Sequence, residues 1–269
     1  MKIAKFDDVS LHYRDDGPKE GPVVVFANSL GTDLRLWDPV LPYLPSGLRL
    51  IRYDKRGHGL SPALPPPYRM GALVRDVERL LDFLDLRDVV IVGCSIGGLI
   101  AQGLAVKRLD QVRAMVLTNT AAKIGTHEMW NDRMTQVKAD GIEGIAEVTM
   151  ERWFSKGFRA TDELKLWKAM LVRQTVPGYL GCCAAIAGTD FYTTTASLKL
   201  PTLVIAGSED SATPPDLVRE TAALVAGARF ELMRGAGHLP MAEAPEAFAA
   251  LLTGFLGEVG HLHGQAPMK

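Results

Sequence analysis

The chain has 269 residues, with 30 basic against 31 acidic side chains and a formal net charge of −1. Neither sign forms a long run, which excludes the electrostatic footprint of a nucleic-acid binder or an anionic-membrane binder and favours a small-molecule partner. Hydrophobic residues at 47% and charged residues at 23% describe an ordinary globule, large enough for one α/β core with an inserted subdomain.

The first twenty residues, "MKIAKFDDVSLHYRDDGPKE", are dense in charge and lack the apolar stretch of a signal peptide. No run reaches the roughly 18 apolar residues of a membrane helix. Cys94, Cys182 and Cys183 are odd in number and two are adjacent, a poor disulfide framework, so a reducing cytoplasm is expected. Assembly into a homo-oligomer stays open.

An early strand is expected around His12. Nearly continuous apolar runs follow at 22–28, 48–54, 88–94 and 112–119, the pattern of strands buried on both faces of a parallel sheet. Helical patterns separate them. Leu73, Val77, Leu80, Leu81 and Leu84 form one apolar stripe, and "SIGGLIAQGLAVKR" reads as a helix directly after the third run. Before the first of these helices, "SPALPPPY" at 61–68 is a stiff, polyproline-like loop. From about 121 to 196 the strand rhythm stops, and this segment holds Trp130, Trp153 and Trp167, with Ile142, Ile145 and Val148 at helical spacing. Strands resume at 201–207 and 228–233, with a helix after "TPPD" and a last one in "APEAFAALLTGFLGEV". The alternation predicts a doubly wound, mostly parallel α/β sheet built from 1–120 and 197–269, with a helical cap inserted at 121–196.

"VGCSIGG" at 92–98 fits G-x-S-x-G between a buried-type strand and a helix. In that context the central serine sits on a tight strand-to-helix turn with its hydroxyl at the carboxyl edge of the sheet. Ser95 is therefore the expected nucleophile, and Cys94 occupies the variable position before it. A serine needs a base, and the base an orienting carboxylate. His238, in the Gly-rich loop between the run at 228–233 and the last helix, and Asp210, closing "PTLVIAGSED", both follow strands. The order Ser95, Asp210, His238 is that of α/β-hydrolases. Glu209 is the alternative acid. His58, in "YDKRGHGLS" beside Arg56, competes as base but is read with Arg56 as structural or pocket-shaping. His261 and His263 form an H-x-H in a polar tail without further ligands nearby, so no metal is expected. An oxyanion hole needs two backbone donors. Ile96, right after the nucleophile, supplies one, and "NSLGTD" supplies the other from Ser29 or Leu30, with Leu30 first.

The stretches "FANSLGTDLRLWDPVLPYL", "RYDKRGHGLS", "VGCSIGGLIAQGLA", "LTNTAAKIGTHEMWNDRM", "LVIAGSEDSATPP" and "GAGHLPMAEAPEAF" together resemble the 3-oxoadipate enol-lactonases, α/β-hydrolases of the β-ketoadipate pathway for aromatic breakdown. The resemblance runs from about 5 to 256. It implies hydrolysis of an enol-lactone through Ser95, Asp210 and His238 with no cofactor. It also implies a substrate carboxylate in need of a cation. Trp130 and Arg133 are three residues apart in "MWNDRM", so one helix face would offer an aromatic wall and a guanidinium, with Ser29 beside them. Three alternatives stand beside this: a general carboxylesterase or perhydrolase with the same triad, a ligand-sensing protein on the hydrolase fold, and, weakest, a cysteine hydrolase using Cys94.

Overall fold

The computed structural model describes residues 1–262. Its framework is one eight-stranded sheet in the order β1-β2-β4-β3-β5-β6-β7-β8. β1 (Lys2–Lys5) and β2 (Ser10–Asp16) form an antiparallel hairpin, and β2 also runs antiparallel to β4. The strands β3 (Val23–Ala27), β4 (Arg49–Tyr53), β5 (Val89–Cys94), β6 (Val112–Thr118), β7 (Thr202–Gly207) and β8 (Arg229–Met233) pair in parallel. β3, β5 and β7 are buried at every position, which is why their sequences are apolar without alternation. β8, at the open edge, is mostly half-buried.

Helix α1 (Met70–Phe83) buries Leu73, Val77, Leu80 and Leu81 on one face, and the helix ends before Leu84. α2 (Ile96–Lys107) starts one residue after β5 ends, with Ser95 between them. After β6 the chain enters α3 (His127–Asp140), α4 (Ala146–Trp153), α5 (Leu164–Val172), α6 (Val176–Ala187) and α7 (Tyr192–Ala196) before β7. α8 (Pro215–Leu224) links β7 to β8, and α9 (Pro240–Glu243) and α10 (Pro245–Glu258) follow. Among the described residues no helix is long and apolar enough to cross a membrane.

The strand order places the site. From β3 the chain steps outward to β4, then returns to the other side of β3 as β5. The crevice at the carboxyl ends of β3 and β5 is thus a topological switch point, where ligands of open α/β sheets bind. Two elements lie outside the sequence expectations. The loop after β3 tightens into a 3₁₀ stretch, Leu34–Tyr43, that carries two internal prolines and buries Leu36 and Trp37. His261 is not in a loose polar tail but buried, with Nε2 2.9 Å from the Val23 carbonyl oxygen. His263 lies outside the described residues.

Candidate active site

Ser95 stands at φ 57°, ψ −119°, a left-handed conformation rare for a residue with a side chain. Its neighbours explain how the strain is held. A Cβ on Gly97 would lie 2.0 Å from the Ala27 carbonyl oxygen, and one on Gly93 would lie 2.3 Å from that of Gly97. Only glycines at both positions let α2 press onto the ends of β3 and β5. The serine is over-determined by this packing rather than by a side-chain cap, since none is made at the N-terminus of α2.

Four more strand ends converge here. His238, after β8, brings Nδ1 to 2.9 Å from Asp210 Oδ2, after β7, and both residues are buried. The Asp210 carboxylate is held on every side. Oδ1 accepts the amides of Ala212 at 2.7 Å and Thr213 at 3.0 Å, and Oδ2 accepts the Thr213 hydroxyl at 2.7 Å and the Asn119 amide nitrogen at 2.9 Å. Burial pushes this carboxyl up, but the partnership with His238 and the bonds from Asn119 and Thr213 outweigh it and hold Asp210 below the usual carboxylate range. Asp210 is therefore an ionised acceptor for the imidazole. Glu209 is turned away, its carboxylate accepting the Lys156 amide at 3.1 Å. The His238 backbone amide donates to the Trp153 carbonyl at 2.7 Å, and the Trp153 ring lies nearly parallel to the imidazole, 24° from it.

Ser95 and His238 open on a common cavity of about 320 Å³, also lined by Ser29, Leu30, Trp130, Arg133, Arg152, Trp153 and Tyr179. The amides of Leu30 and Ile96 donate to no protein acceptor among the described residues, while the Gly31 amide beside them donates to His58 Nε2 at 3.0 Å. Trp130 Nε1 donates to the Ile124 carbonyl at 2.6 Å, fixing the indole as a wall. Arg133 donates from Nε to the Tyr179 hydroxyl at 3.2 Å and from Nη2 to the Thr149 hydroxyl at 2.5 Å. Arg133 has no carboxylate partner among the described residues, so its charge is unspent in the cavity wall.

The remaining sequence candidates take other places. Cys94 is fully buried behind the serine, its Sγ 3.8 Å from the His238 carbonyl oxygen, and burial pushes its thiol far up, against a thiolate. Arg56 forms a buried two-pronged ion pair with Asp76, at 2.6 and 2.5 Å. His12, in β2, pairs with Asp54 at 2.8 Å. Neither these nor His58 reaches the cavity. Among the described residues no group of three His, Cys, Asp or Glu side chains is set to hold a metal. Asn119, Thr213, Trp153 and Tyr179 carry no local signature. Asn119 does sit at φ 49° directly after β6, a conformation that asparagine tolerates, but its partner lies 91 residues away.

The serine turn between β5 and α2, with a histidine–aspartate pair on later strand ends, defines a class. The chain belongs to the alpha/beta hydrolase family, whose profile matches residues 21–251, and it is a hydrolase. Within that family it is similar to the 3-oxoadipate enol-lactonases. The enzyme named 3-oxoadipate enol-lactonase 2 of Acinetobacter baylyi is 34% identical over 244 residues, covering 90% of this chain and 91% of that one. The solved enol-lactonase of Burkholderia xenovorans LB400 superposes with a TM-score of 0.91 at 36% identity, over 95% of this chain and 99% of that chain. A thermophilic esterase of Thermogutta terrifontis, solved with malate bound, gives 0.90 at 26% identity, over 96% and 99%.

Proposed function

We propose that this hydrolase opens 3-oxoadipate enol-lactone to 3-oxoadipate by acyl-enzyme catalysis, in the β-ketoadipate route of aromatic breakdown and in a reducing cytoplasm. The observation that carries the substrate class is Arg133, a guanidinium without a carboxylate partner among the described residues, in the wall of the cavity onto which Ser95 opens. A substrate with a free carboxylate supplies the missing charge, and the similarity to enol-lactonases supplies the lactone.

The chemistry follows from the parts. His238 takes the Ser95 proton while Asp210 holds the imidazole through Nδ1 and stabilises the imidazolium that forms. Ser95 attacks the lactone carbonyl, and the developing oxyanion is received by the amides of Leu30 and Ile96. Collapse breaks the ring C–O bond as the His238 imidazolium returns its proton to the leaving oxygen, and the enol ketonises, so the leaving group stays part of the acyl chain. Water, deprotonated by His238, then frees the acyl-enzyme and restores Ser95. Trp130, Ser29 and the helical segment between β6 and β7 enclose the ring, and α3 to α7 act as the cap of this site.

The deciding experiment assays 3-oxoadipate enol-lactone beside p-nitrophenyl acetate. Ser95→Ala is expected to abolish both activities and Cys94→Ala to keep them. Arg133→Met is expected to raise KM for the lactone about tenfold or more while leaving the uncharged ester within about twofold. An Arg133→Met enzyme unchanged toward the lactone would remove the carboxylate contact. Equal wild-type efficiency on both substrates would make the chain a general esterase.

A further inference from the structure

Lys55 has no place in the triad, yet it is one of the largest side chains sealed inside the protein, 2% exposed. It makes no ion pair among the described residues. Its ammonium donates instead to two backbone carbonyls of the loop after β3, Ser29 at 2.6 Å and Thr32 at 3.3 Å. Burying a charge against carbonyls alone is costly, so a lysine kept this way calls for a use.

The Ser29 carbonyl and the Leu30 amide belong to one planar trans peptide, so they point in opposite directions. The carbonyl oxygen accepts Nζ together with the Thr32 hydroxyl at 2.9 Å and the Thr32 amide at 3.3 Å, so the Leu30 N–H is aimed the other way, on the side of the cavity that Ser29, Leu30 and Ser95 line. A second anchor locks the next peptide, because the Gly31 amide is spent on His58 Nε2. Leu30 keeps a backbone donor with no protein acceptor among the described residues, as does Ser29 before it. The ammonium also lies at the negative end of that peptide dipole, which polarises the N–H at its positive end.

We propose that Lys55 is a positioning residue for the oxyanion hole, orienting and polarising the Ser29–Leu30 peptide so that the Leu30 amide binds the oxyanion. This rests on the assignment of Leu30 as oxyanion donor under the proposed function. The groups around the ammonium are Asp33, Asp54, Cys94, Cys182 and His58. Burial outweighs the thiols and carboxylates among them and brings Lys55 down to about 8, while His58 is held neutral. Its charge, present below that value and lost above it, therefore falls within reach of a pH profile.

The test uses p-nitrophenyl acetate with the full-length wild type, Lys55→Met, Lys55→Gln and Ser95→Ala. Both lysine variants are expected to lose about tenfold or more in kcat with KM within about threefold, since a weakened donor costs less than a deleted one. Wild-type kcat is expected to decline on the alkaline side with a midpoint near 8, and both variants are expected to lack that limb. A folded variant with wild-type kcat, or a change confined to KM, overturns the proposal. Should Lys55→Met fail to fold, Lys55→Gln and the wild-type profile decide, and a wild-type kcat flat to about pH 9.5 is decisive against it. Activity surviving in Ser95→Ala instead brings down the serine mechanism, and the Lys55 assignment with it.

Discussion

At the scale of single residues, the site depends on polar groups placed beyond hydrolytic reach. Asp210 accepts five hydrogen bonds from Ala212, Thr213, Asn119 and His238, and ionisation is the only state that satisfies them all. His58 shows the opposite solution. Burial, and the nearby Lys55 ammonium, push its pKa well below 6.5, so it stays a neutral acceptor for the Gly31 amide. The unfolded chain binds this proton near pH 6.5 and the native state does not. Stability from His58 is therefore present above that pH and lost as pH falls below it toward the folded value. Between about pH 6.5 and 5, wild type should lose up to about 1.4 kcal/mol per pH unit more than His58→Asn. Urea unfolding of both at two pH values measures the difference, and parallel slopes would show that His58 is already protonated in the native state.

Among elements, the decisive junction is β5 to α2. The positive φ of Ser95 is not an isolated strain, because it exists only while the first turn of α2 touches the end of β3. An added methyl at Gly97 meets backbone, the Ala27 carbonyl at 2.0 Å, which cannot rotate away as a side chain would. Gly97→Ala should accordingly destabilise the protein by about 2 kcal/mol or more, and kcat should fall with it as the serine and the Leu30 loop move apart. Calorimetry with a parallel ester assay checks both. A stable, fully active Gly97→Ala would mean that α2 can shift without disturbing the turn.

Across the whole molecule, the helical segment is docked to the sheet domain by bare backbone as well as by side chains. A Cβ on Gly178, in α6, would lie 2.0 Å from the Gly57 carbonyl oxygen, and one on Gly57 would lie 2.3 Å from the Gly178 Cα. The Thr175 hydroxyl donates to the same Gly57 carbonyl at 3.2 Å, and Gln174 Oε1 accepts the Gly59 amide at 2.9 Å. Tyr179, the residue after Gly178, holds Arg133, so this seam also sets the guanidinium's position. Gly178→Ala should lower the melting temperature by several degrees, at about 2–4 °C per kcal/mol for a chain of this size. It should also raise KM for the lactone more than for p-nitrophenyl acetate. Equal KM effects on the two substrates would separate cap docking from the placement of Arg133.

Much of this was legible in the chain itself. The parallel strands are readable because burial on both faces leaves no room for polar alternation, and the Ser95 turn because its glycines are forced by contacts a few residues away. The candidates Ser95, Asp210 and His238 share a location, the loop after a strand, and a mostly parallel sheet gathers such loops at one edge. Local pattern also gives Trp130 and Arg133 one helix face. What only the tertiary structure decided is partnership at long range. Asn119 on Asp210, Tyr179 and Thr149 on Arg133, and Lys55 beneath the Ser29 carbonyl are pairs joined by the sheet order and the seam with the helical segment. A lysine in a charged "DKRG" run reads as solvated surface. Its burial follows from the loop after β3 folding over it, and no short-range period records that. Cys94 beside Ser95 is the opposite case, since its place in the motif already turns it away from the hydroxyl as a buried neighbour. The motif marks Ser95 as the candidate nucleophile, and the packing of β5 seals the Cys94 thiol from the cavity into which the serine opens.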